Sequence, residues 1–128
     1  MCIRDSLKAR SDNYVETILG RRRSVWDINS ENALKRQAAE RIAINMPIQG
    51  SAAELIKIAM IEVQKEIEKK NLKSKMILQI HDELLFEYPV DEKDFLVSMV
   101  QDSMENAMKL KVPVIVDYGF GKNWYEAH

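Results

Sequence analysis

The stretch Gln79-Ile80-His81-Asp82-Glu83-Leu84-Leu85-Phe86-Glu87 places charged groups between two apolar segments. An ordinary turn does not need them. Met76–Ile80 and Leu84–Tyr88 are predicted as two strands joined by a tight connection at His81-Asp82-Glu83. Two adjacent carboxylates on a tip held by a buried base form a fixed hard-oxygen site. Mg²⁺ prefers such a site when phosphate oxygens supply its remaining ligands. Asp82 is the expected ligand. Taken alone, the stretch leaves an alternative open, because Asp and Glu are common turn residues and His81 could simply end a strand.

A second constellation is Arg41, Asn45 and Gln49, spaced by four so that they share one side of a helix. All three side chains carry donors. The minor groove offers acceptors on every Watson–Crick pair, so such a row can test base-pair geometry without reading sequence. A wet helix face is the alternative. Gly20-Arg21-Arg22-Arg23 puts three cations beside a turn, where phosphate contact competes with plain surface exposure as an explanation. In Ala43-Ile44-Asn45-Met46-Pro47-Ile48-Gln49-Gly50-Ser51 the Pro and Gly imply close packing against something specific.

The elements that must position these groups follow from periodicity. Tyr14 to Ile28 reads as a hairpin around Gly20, which is free to take positive φ. Asn29-Ser30 offers a helix N-cap, with Leu34, Ala38 and Ile42 as the buried face, and Pro47 predicts a kink or restart between Asn45 and Gly50. From Ser51 to about Lys70, Ala52, Leu55, Ile56, Ala59, Met60, Val63 and Ile67 form an apolar stripe, with Glu54 and several lysines opposite. Asp91 is expected to cap a further helix with Phe95, Leu96, Met99, Val100, Met104, Ala107 and Met108 buried. Val114–Tyr118 is expected as a last strand. The seven methionines fall at core spacings. This order predicts one α+β domain, an antiparallel sheet with long amphipathic helices on one face.

The 19 basic and 20 acidic residues nearly cancel, so net charge gives no warrant for nucleic-acid binding. Their distribution says more. Residues 1–50 hold nine Lys/Arg and six Asp/Glu, whereas residues 51–128 hold ten and fourteen, so the basic surplus lies in the first half. The lone Cys2 cannot form an internal disulfide, and no apolar run approaches the roughly 20 residues that span a bilayer. Cytoplasm is the default expectation. The opening Met-Cys-Ile-Arg-Asp-Ser fits no pattern that follows, and residues 1–13 are expected to be poorly ordered or non-native.

Thr17-Ile18-Leu19-Gly20-Arg21-Arg22-Arg23, Ala39-Glu40-Arg41 through Asn45-Met46-Pro47-Ile48-Gln49-Gly50-Ser51-Ala52-Ala53, and Gln79-Ile80-His81-Asp82-Glu83 together resemble the family A (bacterial polymerase I type) DNA polymerases. They occur in the family's order and spacing from about Tyr14 to Trp124, and the third looks like its motif C. Gly119-Phe120-Gly121-Lys122-Asn123-Trp124 also looks like the family's C-terminal end. The resemblance implies that residues 14–128 are the C-terminal part of a polymerase palm. It implies that Asp82 binds catalytic Mg²⁺ with Glu83 in support, and that His81 lies near the primer terminus. Arg41, Asn45 and Gln49 would touch the minor-groove edge of the newest base pairs, and Arg21, Arg22 and Arg23 the duplex backbone. The implied reaction is primer 3′-hydroxyl attack on a dNTP by a two-metal mechanism. Primer-template DNA would be the partner, and the missing palm and fingers segments would belong to the same polymerase. Neither the family's other metal-binding aspartate nor its fingers pattern occurs here, so the isolated chain is expected to be inactive and to expose the apolar faces of Ser51–Lys70 and Asp91–Leu110.

Two rival classes fit the residues less well. A metal-dependent phosphohydrolase built on His81-Asp82 is short of ligands, because His128 is the other histidine. A non-catalytic duplex nucleic-acid-binding or protein-interaction module is the other, but few of the aromatics fall outside core-period positions.

Overall fold

The computed structural model describes residues 2–128, which form two compact units divided between Glu54 and Leu55. In the first unit a helix, α1 (Cys2–Asp12), stands where a poorly ordered segment was expected. It belongs to the fold because Ala9 is fully buried and Arg10 reaches across to the Ile28 carbonyl at 3.0 Å and to the Glu40 carboxylate. Asn13, at φ 59°, ends α1. The hairpin β1 (Tyr14–Glu16) and β2 (Arg22–Ser24) follows, antiparallel, with Val15 opposite Arg23. Gly20 takes φ +84° in the connecting loop, as its freedom at φ > 0 predicts. A single helical turn, Trp26–Asn29, then leads to α2 (Ala33–Lys69).

The start of α2 is fixed by Asn32, whose Oδ1 accepts from the amides of Leu34 and Lys35, two residues beyond the cap expected at Asn29-Ser30. Its buried face also differs. Ala39 and Ala43 join Ala9, Val15, Val25 and Ile28 in the core, with Ile42 and Met46 against them, while Leu34 is 78% exposed. Pro47 neither stops nor restarts α2. A proline inside a helix costs about 3 kcal/mol through its missing amide and its clash with the preceding turn. Packing of Ala43 and Met46 on one side offsets that cost, and the Ser51 hydroxyl donates to the Pro47 carbonyl.

In the second unit the end of α2 and the helix α3 (Lys93–Glu105) pack through Val63, Ile67, Leu96 and Met99. Full burial of side chains this size contributes about 1.5–3 kcal/mol each. The apolar faces expected to be bare therefore cover one another. Between these helices run β3 (Lys75–Ile80) and β4 (Glu83–Glu87), an antiparallel pair whose Phe86, with Tyr88 just beyond, packs on the same cluster. Leu84 packs on a further cluster of Ile56, Ala59 and Met104. The strands thus form two separate two-stranded ribbons with helices on them, an α+β arrangement.

Val114–Tyr118 is not a strand. At its middle residue, side chains of α3 stand in for a neighbouring strand: the Val116 amide donates to Glu105 at 3.1 Å, and the Val116 carbonyl accepts from Gln101 at 3.1 Å. The helix expected from Asp91 begins at Lys93, with no side-chain cap, and Phe95 is exposed. A short α4 (Trp124–Ala127) closes the chain, capped by Asn123, whose Oδ1 accepts from the Glu126 amide. No described helix is long and apolar enough to cross a membrane.

Candidate functional site

The β3–β4 hairpin is anchored at its base before its tip can be functional. Glu92 accepts from the Lys73 amide at 2.8 Å, from the Ser74 amide at 2.9 Å and from the Ser74 hydroxyl. These donors, the Lys73 amide foremost, hold the Glu92 carboxyl below the usual carboxylate range. Ser74 is almost completely buried, so the point where β3 begins is fixed. From there the register runs Lys75 opposite Glu87 to Ile80 opposite Glu83, with an irregularity between Met76 and Leu78 that inserts Ile77 as a bulge. A bulge adds local twist and re-aims the residues beyond it.

His81 and Asp82 are the two residues left to turn the chain between Ile80 and Glu83. His81 takes φ +53°, in the left-handed region, and so reverses the chain within a two-residue connection. The His81 carbonyl accepts from Gln79 Nε2 at 2.6 Å. Asp82 is exposed and has no ion pair or side-chain hydrogen bond among the described residues. Glu83 is half exposed, and its Oε1 lies 3.6 Å from His128 Nε2. The three residues expected at the site thus share one tip.

In the first unit, Arg41, Asn45 and Gln49 lie on the exposed side of α2, opposite buried Ala39 and Ala43. Among the described residues none of the three makes a side-chain hydrogen bond, so their donors are available together.

The arginine-bearing hairpin is held by groups that the sequence did not single out. The Thr17 hydroxyl donates to Glu54 Oε1 at 2.7 Å and accepts from the Arg21 amide at 3.1 Å, while the Ile18 amide donates to Ser51 Oγ at 2.9 Å. A Cβ on Gly50 would stand 2.6 Å from Thr17 Cγ2, so the loop rests directly on the helix there. This is what the Gly50-Ser51 pair accommodates. Glu54, expected on the solvent face, is buried, and its Oε2 has no partner among the described residues. The signal that could have found it is a carboxylate three residues after that small pair.

Arg21, Arg22 and Arg23 are all exposed. Arg21 Nε lies 3.5 Å from Glu54 Oε1, and Arg22 Nε lies 2.7 Å from Glu16 Oε1 with its guanidinium 4.5 Å from the Tyr14 ring centre. The Arg22 hydrogen bond, ahead of every other influence, holds the Glu16 carboxyl below its usual range and raises the arginine in turn.

Comparison with known proteins bears on both sites. The DNA polymerase I of Caldicellulosiruptor bescii is 52% identical over 118 residues, 92% of this chain and 14% of that protein. That of Mycobacterium leprae is 50% identical over 117 residues, 91% of this chain and 13% of that protein. That of Lactococcus lactis subsp. lactis is 48% identical over 120 residues, 94% of this chain and 14% of that protein. This chain therefore spans about 14% of the length of such relatives. A solved structure, the POL domain of Pol1 from M. smegmatis in complex with DNA primer-template and dNTP, matches with a TM-score of 0.94 at 46% identity, covering 98% of this chain and 22% of that one. The profile of DNA polymerase family A matches residues 4–126, taking in the arginine turn, the polar row on α2 and the acidic tip at once. With sequence and fold agreeing over nearly every residue, this chain belongs to DNA polymerase family A.

Proposed function

We propose that this chain is the C-terminal palm segment of a DNA-directed DNA polymerase, with residues 14–128 forming that segment. The parent enzyme joins a dNTP to a primer 3′-hydroxyl in DNA replication and repair. The observation that carries the reading is Asp82, an exposed carboxylate without a partner among the described residues, at the apex of a braced hairpin, in a chain of this family. Its oxygen donors fit a hard divalent cation in type. They fall short in number, since no group of three or more His, Cys, Asp or Glu side chains that could hold a metal gathers among the described residues. The remaining ligands come from phosphate oxygens and from a carboxylate elsewhere in the parent.

On this reading Asp82 and Glu83 hold Mg²⁺, and His81 lies beside the primer terminus. When bound, Mg²⁺ lowers the pKa of the attacking hydroxyl and neutralises charge on the phosphate oxygens. Arg41, Asn45 and Gln49 donate to minor-groove acceptors of the newest base pairs, which every correct pair offers at the same positions. That contact orients the primer end and rejects distorted pairs. Arg21, Arg22 and Arg23 meet the duplex backbone, which supplies affinity independent of sequence. The parent works on DNA in the cytoplasm.

Primer extension in Mg²⁺ tests the reading. This chain alone is expected to show none, since it supplies one acidic tip where two-metal chemistry needs more ligands. In the parent, Asp82→Asn should cut extension by at least about 100-fold, because loss of even an indirect metal contact costs 10–100-fold. Duplex binding should persist. Extension by the Asp82→Asn parent at an unchanged rate would overturn the proposal, and a chain that binds duplex with no such dependence would be a non-catalytic module instead.

A further inference from the structure

We propose that the three consecutive arginines are unequal, and that Arg23 alone delivers a full positive charge to a phosphate while Glu16 and Glu54 neutralise Arg22 and Arg21. The inference rests on the reading that this turn meets a duplex backbone. Its basis is the set of partners around each guanidinium. Arg22 is held on two sides, by Glu16 at 2.7 Å and over the Tyr14 ring at 4.5 Å. Arg21 faces Glu54 at 3.5 Å. That carboxylate is buried, with one oxygen unpartnered among the described residues, and a buried charge is screened by salt much less than an exposed one. Glu54 therefore offsets Arg21 even where surface pairs fade. Arg23 has no carboxylate: its cross-strand neighbour is the buried Val15, and it makes no ion pair among the described residues.

The consequence lies in counterion release. Binding affinity falls with salt in proportion to the positive charge that a protein brings to the phosphates. Whether Arg22 stays with Glu16 or leaves it for a phosphate, the carboxylate remains in the patch, so the net charge delivered is small. The same holds for Arg21 above Glu54. A run of three cations then behaves as about one.

Duplex binding by this chain, measured across a series of salt concentrations, tests the assignment, with circular dichroism confirming that each variant is folded. Arg23→Ala should flatten the slope of log affinity against log salt by about one. Removing a whole pair, Arg22→Ala with Glu16→Gln or Arg21→Ala with Glu54→Gln, should change it by less than half as much, because each pair brings little net charge. Glu16 also holds Lys8 at 3.5 Å, so its effect is read in a Lys8→Ala background, where Glu16→Gln should free Arg22 and steepen the slope by about one. Loss of as much slope in either paired variant as in Arg23→Ala would overturn this inference and leave the duplex-binding reading intact, as would no steepening with Glu16→Gln. Absence of any salt-dependent binding by the unaltered chain would overturn both.

Discussion

Glu92 draws three donors from Lys73 and Ser74, and its folded-state pKa lies below the ordinary 4.5. A carboxyl shifted down on folding contributes stability that is fully present above its unfolded value and lost as pH falls through the folded one. The chain should therefore lose stability from about pH 4.5 downward. Glu92→Gln should start less stable at neutral pH and change less across that window. Denaturant unfolding at a series of pH values checks this, and parallel profiles for the two proteins would contradict it. The difference between profiles isolates Glu92 from Glu16, which shares the direction of shift. Asp82 was legible in the sequence because charged residues between apolar strands have few reasons to be there. Glu92 and Glu54 were not. Their partners lie 18 and 37 residues away in the chain, and the one local hint, the small pair ahead of Glu54, names no partner.

Among the elements, the contact between the β1–β2 loop and α2 turns on one missing methyl group. Alanine in place of Gly50 would gain up to about 1 kcal/mol of helix propensity. Its Cβ would meet Thr17 Cγ2 at 2.6 Å, and that side chain cannot swing away without breaking its bond to Glu54. Overpacking of this kind costs about 1–3 kcal/mol. Gly50→Ala is thus expected to lower the melting temperature, and in a Thr17→Ser background, where Cγ2 is gone, the same change should raise it. A stabilised single variant would refute the close approach. The hairpins and the amphipathic faces of α3 and the second half of α2 were readable because period and polarity agree there. Val114–Tyr118 was misread, since strand-forming residues make a strand only beside a partner edge. Pro47 was misread because packing on the Ala43 and Met46 side outweighs a local helix breaker.

For the whole molecule, the apolar surface sits elsewhere than the sequence implied. The later part of α2 and α3 cover each other, whereas Leu34, Ile44 and Ile48 lie bare on the earlier part of α2, with Ile61 and Ile115 also exposed. Bare side chains of this size favour association in water. Sedimentation velocity at rising concentration should show the chain associating, and Leu34→Glu should weaken it; a monomer at every concentration would contradict the expectation. The α+β character and the family were legible from three motifs, whereas the helix within residues 1–13 was not, because the contacts that tie it in, such as Arg10 to Ile28 and Glu40, are to residues far along the chain. The left-handed backbone at His81 reaches further, into what inheritance can do with the turn. One base change in a histidine codon yields asparagine or aspartate, two residues that share tolerance for this geometry. The loop could thus survive such drift while the chemistry beside Asp82 changes, with aspartate placing a third acid next to two others.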